Sequence, residues 1–371
     1  MTALALDLSR TQATPQHLLD TVSGIWQRVL RAPDLAPESN FFELGGDSLL
    51  AITLFLEIER ETGRHLPITM IYEAQTVAEQ AALLGDEAAP EFSPLVLLKR
   101  GNGDPPFFIF HGVGGTVVEF AALGKLIDIP GEVYAVQAQG IDGTQPPLES
   151  VESMARLYCN AIRAKQPRGP YWLCGYSFGG LLAIEVARLL KKMGGDIALL
   201  VMIDSYAHPV TWPKKSRLKL RLRRLVGQVA DAASHPAQTS TALLSLLRGH
   251  GKLASGAAEK AMRKREWLRD HRPDLPVSLL QTRLAADKAL YAYEPRYYAG
   301  DVVFLKARWP DRHFPDDPEH VWRRLVRKLE MHVSPGSHRT IINEHAPNVA
   351  ARINASIRKA RADLMHNEEH P

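Results

Sequence analysis

Apolar residues recur at helical spacing in the first quarter of the chain. Apolar residues occur near every third or fourth position in residues 15–31 (PQHLLDTVSGIWQRVLR) and 48–63 (SLLAITLFLEIERETG). This spacing predicts two amphipathic helices. Residues 76–85 (TVAEQAALLG) predict a further helix, after the turn-rich stretch LPITMIYEA. Residues 15–85 therefore predict a small helical bundle.

Beyond the charged, proline-bearing stretch 86–94 the pattern changes, and short apolar runs alternate with helical ones. The strand-like runs are LVLLKRG, FFIFHG, VYAVQAQG, YWLCGYS, ALLVMIDS, DVVFLKA and LEMHV. Continuous apolar strands that alternate with helices predict a mostly parallel sheet covered on both faces. Between Ser205 and Gly300 a mostly helical stretch interrupts this pattern; it is too long for a loop and predicts an inserted, structured element.

Bulk composition fits a two-domain protein of the cytoplasm. The chain has 371 residues, 45% of them hydrophobic, and only two cysteines, Cys159 and Cys174, which favours a reducing compartment. The N-terminal residues lack the basic and apolar regions of a secretory signal, and no apolar run is long enough to span a bilayer.

Charge is distributed unevenly along the chain. Residues 1–90 carry a net charge of −8 and the remainder +12, so the two parts are expected to attract each other, although ordinary surface charge is the simpler explanation. The basic stretch 212–229 could bind a membrane surface or a nucleic acid, or it could be a lid helix with a solvated basic face. Our hypothesis is that basic residues there, such as Arg221, Arg223 and Arg224, attract the acidic first segment or an acidic upstream partner. We expect no nucleic-acid partner and no membrane span.

The run YWLCGYSFGG places Ser177 in a Gly-x-Ser-x-Gly frame between an apolar strand and an Ala/Leu-rich helix. A sharp turn there exposes a nucleophilic serine above the sheet. Such a serine needs a histidine as base and an acid that orients the histidine. In folds with a serine turn of this kind, the acid follows the serine along the chain and the histidine comes last. Asp204 ends the next strand, and His338 lies in the loop sequence SPGSHRTII. His332 and His345 compete with His338, but the first lies within a strand pattern and the second starts a helix.

Two backbone amides are candidates for stabilising an oxyanion on the substrate. One is the N–H of Phe178, directly after the nucleophile. The other is the N–H of Val113, in the glycine-rich loop after FFIFHG. His111 precedes this loop, and we interpret it as a residue that shapes the loop rather than as a catalytic one. No metal site is predicted.

Residues 95–355 resemble the thioesterase domains that end nonribosomal peptide and polyketide synthases. The matching pieces are FFIFHGVGGT, GYSFGG, VMIDSYA, YEPRYYAGDVVFLKA and VSPGSHRTII. The resemblance implies an α/β-hydrolase fold with a helical lid between the Asp204 strand and the Gly300 strand.

The stretch LGGDSLL (residues 44–50) places another serine, Ser48, after two glycines at the start of a predicted helix. A serine there commonly caps the helix. The alternative is a modification site, because a phosphodiester on Ser48 would lie at a helix N-terminus, where anions are stabilised. Residues 15–85 closely resemble a peptidyl or acyl carrier domain, which implies that Ser48 carries a covalent 4′-phosphopantetheine arm.

Together these features predict an α + α/β chain, a four-helix carrier bundle followed by an α/β-hydrolase domain with a mostly parallel sheet and a large helical lid insertion. The expected boundaries are a flexible N-terminus (1–13), a carrier domain (14–86), a linker (87–96), a thioesterase domain (97–365) with its lid at about 206–299, and a disordered tail (366–371).

The implied function is release of an acyl or peptidyl group, held as a thioester on the Ser48 arm, through an acyl-Ser177 intermediate by hydrolysis or cyclisation. The implied partners are a phosphopantetheinyl transferase and upstream synthase modules or loading enzymes. Two alternatives stay open: an acyltransferase that uses an external amine or alcohol, and an inactive carrier or docking scaffold. A stand-alone lipase would leave Ser48 unexplained.

Overall fold

The chain divides into two compact units, Met1–Glu91 and Phe92–Pro371. Each unit has its own buried core. The computed structural model describes residues 15–64, 66–86, 92–103, 105–207, 212, 218, 276–309 and 318–369.

The described part of the first unit contains three α-helices and one 3₁₀ helix. They are α1 (Pro15–Leu30), α2 (Ser48–Thr62), the 3₁₀ helix (Ile68–Tyr72) and α3 (Val77–Gly85). The four-helix carrier bundle expected from the resemblance thus has three α-helices and one five-residue 3₁₀ helix, which lies in the turn-rich stretch LPITMIYEA. Three of its residues, Ile68, Thr69 and Ile71, are β-branched, which lowers the propensity for an α-helix.

The core of the first unit is centred on two fully buried aromatic residues. The rings of Trp26 and Phe41 meet edge to face, with their centroids 5.6 Å apart. The indole N–H of Trp26 donates to the side-chain oxygen of Gln80 at 2.9 Å, which ties α1 to α3. The start of α3 is fixed by a reciprocal pair of hydrogen bonds between Thr76 and Glu79.

One sheet of seven described strands forms the centre of the second unit. The strands are β1 (Leu95–Lys99), β2 (Phe107–Phe110), β3 (Val133–Val136), β4 (Tyr171–Tyr176), β5 (Ile197–Ile203), β6 (Tyr298–Trp309) and β7 (Val326–Ser337). Their order across the sheet is β1-β3-β2-β4-β5-β6-β7. β1 runs antiparallel to β3, and every other neighbouring pair is parallel.

Helices cover this sheet. They are α4 (Ala121–Leu126), α5 (Val151–Lys165), α6 (Phe178–Lys192), α7 (Val277–Ala292), α8 (Glu319–Trp322) and α9 (Ala346–Glu369), with a 3₁₀ helix at Val118–Phe120. α6 packs on β4, β5 and α5, whereas α9 packs on α4 and β5. All residues of β2 and β4 are buried, so both faces of the central strands are covered. The prediction of a mostly parallel, doubly covered sheet is confirmed.

The described structure differs in detail from the predicted boundaries. β1 begins at Leu95, inside the predicted linker, because Leu95–Leu97 pair with β3. α9 continues to Glu369, four residues into the predicted disordered tail.

Most of the predicted lid lies outside the described residues, as do Arg221, Arg223 and Arg224 and the predicted flexible N-terminus. The part that is described includes α7, which packs against α5.

Candidate active site and carrier serine

Ser177 occupies a sharp turn between β4 and α6. Its backbone angles, φ 55° and ψ −120°, lie in a region that residues with a side chain rarely adopt. The Ser177 amide donates to the carbonyl of Ile203 at 2.9 Å, which ties the turn to β5. Strained backbone of this kind persists only where neighbouring structure enforces it, and it is concentrated at functional sites.

The two glycines of the Gly-x-Ser-x-Gly frame allow three elements to approach closely. A methyl group added to Gly175 would overlap the carbonyl of Gly179, and one added to Gly179 would overlap the carbonyl of Phe110 at the end of β2. Only glycine leaves room at these two positions. The frame therefore fixes how the start of α6 sits against β4 and β2.

Asp204 follows β5 directly and is 3% exposed. Its Oδ1 accepts hydrogen bonds from the backbone N–H of Ala307 and from the hydroxyl of Tyr206, each at 3.0 Å. Its Oδ2 lies 2.8 Å from Nδ1 of His338. These contacts fix the orientation of the carboxyl group towards His338.

His338 follows β7 and links the other two side chains. Its Nε2 lies 3.0 Å from Oγ of Ser177. When Nδ1–H donates to Asp204, Nε2 is left as an acceptor for the Ser177 hydroxyl. The structure therefore brings Ser177, His338 and Asp204 from three strand ends into one hydrogen-bonded chain. This is the arrangement that activates a serine nucleophile.

The two competing histidines have other contacts. His332 lies on β7, with its Nε2 2.9 Å from Oε1 of Glu330, and this hydrogen bond lowers the pKa of Glu330. The ring of His345 meets the indole of Trp309 edge-on, with centroids 6.0 Å apart.

The loop after β2 lies beside the start of α6. It forms a turn in which the N–H of Gly115 donates to the carbonyl of Gly112 at 3.1 Å. Neither the N–H of Val113 in this turn nor that of Phe178 at the start of α6 donates to an acceptor within the described part of the chain. Within the described residues, both amides are therefore available to a ligand atom.

His111 anchors this loop from inside the protein. It is fully buried, and burial lowers its pKa to about 4, so the imidazole is neutral at pH 7. Nδ1 pairs with the carbonyl of Gly112 at 2.6 Å, and Nε2 pairs with the hydroxyl of Tyr158 at 2.7 Å. Its ring also packs against Phe178, with centroids 6.1 Å apart. These contacts fit a residue that shapes the loop.

A second titratable group follows the same loop. Glu119 is half-buried and accepts a hydrogen bond from the hydroxyl of Thr116 at 2.8 Å. Burial raises its pKa to about 7. The stretch from His111 to Glu119 therefore combines a histidine that stays neutral with a carboxyl group that titrates near neutral pH.

Ser48 is the first residue of α2, in the first unit. The carboxylate of Asp47 accepts the N–H of Leu50 at 2.9 Å, so Asp47 caps this helix and the capping interpretation of Ser48 is wrong. Gly46 packs against Phe41 too closely for a side chain, whereas open space surrounds Gly45. Ser48 thus stands at the start of a helix, where a bound phosphate group is stabilised.

Within the described residues, no group of three or more His, Cys, Asp or Glu side chains could hold a metal ion. The helices in the same part of the chain include none that is both long and apolar enough to cross a membrane.

The covered, mostly parallel sheet with a serine at the turn after β4 defines the second unit as an α/β hydrolase. Comparison with known families is more specific. Residues 105–357 match the thioesterase domain and residues 20–84 match the phosphopantetheine attachment site. The chain belongs to the thioesterase domain family and carries a phosphopantetheine-binding domain ahead of the thioesterase domain. The first unit is called the carrier unit below, and the second the thioesterase unit.

Relatives of both units occur together in peptide synthetases. A dimodular nonribosomal peptide synthase of Bacillus subtilis (strain 168) is 29% identical over 316 residues, which cover 83% of this chain and 13% of that protein. Malpibaldin synthetase of Mortierella alpina is 38% identical over 189 residues, 50% of this chain and 3% of that protein. The chain thus spans only a small part of the length of these curated relatives.

A solved structure shares the fold of most of the chain. It is a holo four-domain nonribosomal peptide synthetase bound to AMP and glycine, with a TM-score of 0.55 and 25% identity. The match covers 91% of this chain and 26% of that one.

Sequence reasoning missed the partners that hold the site from other elements. Tyr158 on α5 pairs with His111, and Tyr176 at the end of β4 stacks on His338. The position of Tyr176 directly before Ser177 was the only available signal. Nothing in the local sequence connects Tyr158 with residue 111.

Proposed function

We propose that this chain releases an acyl or peptidyl group from a carrier-bound thioester in nonribosomal peptide or polyketide biosynthesis. The observation that carries the proposal is the hydrogen-bonded chain from Ser177 Oγ through His338 to Asp204. Ser48 is the attachment residue for phosphopantetheine, whose terminal thiol holds an acyl group as a thioester when the cofactor is bound.

The chemistry follows from the geometry of the three side chains. His338 Nε2 takes the proton of Ser177 Oγ as that oxygen attacks the carbonyl carbon of the thioester substrate. Asp204 stabilises the imidazolium that forms. The C–S bond then breaks, His338 gives its proton to the departing thiolate, and an acyl-Ser177 ester remains. Water, activated by His338, releases a free acid; an internal amine or hydroxyl of the acyl group would instead release a ring.

The amides of Val113 and Phe178 are proposed to stabilise the oxyanion of the tetrahedral intermediate. In a trans peptide the carbonyl of Gly112 and the N–H of Val113 point in opposite directions. Because His111 holds that carbonyl on its own side, the Val113 N–H is directed away from the protein interior. This orientation supports the assignment of Val113 as a donor to the substrate.

The proposed partners follow from the carrier unit. A phosphopantetheinyl transferase would modify Ser48, and upstream synthase modules or loading enzymes would supply the acyl or peptidyl group. Tethering keeps that group at a high effective concentration, so tight binding by the thioesterase unit is unnecessary. The cytoplasm is the proposed compartment, and the two buried free cysteines fit a reducing environment.

The test is to load the purified protein with acyl-phosphopantetheine, using a promiscuous transferase and a panel of acyl-CoA analogues, and to follow intact mass. We expect one acyl-phosphopantetheine per wild-type chain, no loading of Ser48→Ala, and persistence of the acyl group only in Ser177→Ala. Loading of Ser48→Ala, or equal decay in wild type and Ser177→Ala, would refute the assigned roles. Analysis of the released product with and without an added amine or alcohol separates hydrolysis and cyclisation from acyl transfer.

A further inference from the structure

Tyr176 contacts His338 in two independent ways. The two rings stack with their centroids 5.2 Å apart and an angle of 25° between their planes. The Tyr176 hydroxyl also donates to the backbone carbonyl of His338 at 2.6 Å. A single buried side chain thus holds both the ring and the backbone of this residue.

The ring of Tyr176 is itself fixed from the other side. The edge of Phe120 meets it at 85°, with centroids 6.2 Å apart. A methyl group at Gly112 would stand 3.5 Å from it, in ordinary van der Waals contact. Tyr176 therefore lies between the glycine loop after β2 and the histidine after β7, two parts of the site that come from opposite sides of β4.

We propose that Tyr176 is a positioning residue that holds His338 in line with Ser177 and stabilises its protonated form by stacking. This inference rests on the proposed function, in which His338 alternates between imidazole and imidazolium. A positive charge is attracted to an aromatic face within about 6 Å. The attraction is stronger for the imidazolium than for the neutral ring, so the stack favours the state that forms as Ser177 loses its proton.

The hydroxyl group has a separate role. Its hydrogen bond restrains the backbone of His338, which directly follows β7. β7 is an edge strand of the described sheet, so no strand on its outer side holds this part of the chain. This restraint keeps Nε2 within 3.0 Å of Ser177 and Nδ1 within 2.8 Å of Asp204. Small displacements of such a group weaken proton transfer.

The test compares Tyr176→Phe, which keeps the ring, with Tyr176→Leu, which removes it. Hydrolysis of a small thioester of N-acetylcysteamine is measured for kcat and KM. We expect kcat to fall about 5- to 30-fold in Tyr176→Leu, with KM little changed, because the lost attraction acts on the transition state. The kcat of Tyr176→Phe should fall about threefold, since this variant loses only the hydroxyl contact. Tyr134→Leu is the matched control: Tyr134 is a buried tyrosine that stacks on Phe108 and donates to Glu132.

A second measurement follows the His338 ring itself by NMR during a pH titration in the Ser177→Ala background, which needs no turnover. Asp204, whose carboxylate pairs with Nδ1 of His338, is the same in every variant. We expect the titration midpoint to fall by about half a pH unit in Tyr176→Leu and to change little in Tyr176→Phe.

The two measurements separate the possible failures. An unchanged midpoint together with an unchanged kcat in Tyr176→Leu overturns the inference. Wild type that fails to hydrolyse thioesters while the midpoint still shifts overturns the proposed function and leaves the link between Tyr176 and His338 supported. A fall in kcat as large in Tyr134→Leu as in Tyr176→Leu would mean a general packing defect and would also overturn the inference.

Discussion

At the scale of single residues, the loop after β2 combines two groups whose protonation responds to folding in opposite ways. His111 is buried as a neutral imidazole, with a pKa of about 4, while burial raises the pKa of Glu119 to about 7. Each group therefore couples the protonation of the protein to its stability.

We predict that His111 makes stability depend on pH. Its pKa in the folded protein lies below the usual value of 6.5, so its contribution to stability is complete above pH 6.5 and is lost as the pH falls towards 4. The free energy of unfolding of wild type, relative to His111→Gln, should rise by about 3 kcal/mol from pH 4 to pH 6.5. Urea denaturation at a series of pH values measures this difference.

Glu119 makes the free energy of unfolding depend on pH in the opposite direction, so it serves as the internal comparison. Its folded pKa is raised from 4.5, so its contribution to stability is present below pH 4.5 and is lost as the pH rises through 7. Relative to Glu119→Gln, the free energy of unfolding of wild type should therefore fall over this window. If the free energy of unfolding changed with pH in the same way in wild type, His111→Gln and Glu119→Gln, the protonation states assigned here would be contradicted.

At the scale of elements, the sharp turn that holds Ser177 depends on the close approach of β4, α6 and β2. We predict that Gly179→Ala lowers the free energy of unfolding of the thioesterase unit by about 1–3 kcal/mol, because the added methyl group overlaps the carbonyl of Phe110. It should also abolish labelling of Ser177 by a fluorophosphonate probe, since the turn must shift to accommodate the methyl group.

Gly114→Ala is the control for stability in the same unit. Its methyl group would meet no atom closer than 3.8 Å, that of Thr116 Oγ1, within the described structure. Equal losses of stability in the two variants would mean that the close approach at Gly179 is not what constrains the turn.

At the scale of the whole molecule, the dominant feature is the separation of charge between an acidic carrier region and a basic remainder, −8 over residues 1–90 against +12 beyond them. We predict that acyl transfer from Ser48-bound substrate to Ser177 slows as salt is raised from low to moderate concentration, because ions screen attraction between the two regions. Quenched-flow measurement of acyl-Ser177 in wild type tests this.

Hydrolysis of a small neutral thioester by the same protein is the matching control and should be nearly independent of salt. Transfer that is equally independent of salt would show that the charge asymmetry does not steer the carrier unit. If transfer does slow as salt is raised, reversal of charge at Arg221, Arg223 and Arg224 tests whether this basic stretch is the part of the chain involved.

The sequence by itself determined the order of elements and the chemistry of the candidate site. Helical spacing in residues 15–85 and apolar strands after Leu95 depend on local periodicity, which is written directly in the chain. Ser177 stands in a local frame of glycines, and Asp204 and His338 stand near strand ends, so their candidacy could be read from neighbouring residues.

Only the tertiary structure decided which distant groups meet. The choice of His338 over His332 and His345, the pairing of His111 with Tyr158, and the stacking of Tyr176 all join residues from different elements. Such contacts depend on strand order and on packing across the sheet, which bring together positions that local periodicity does not relate.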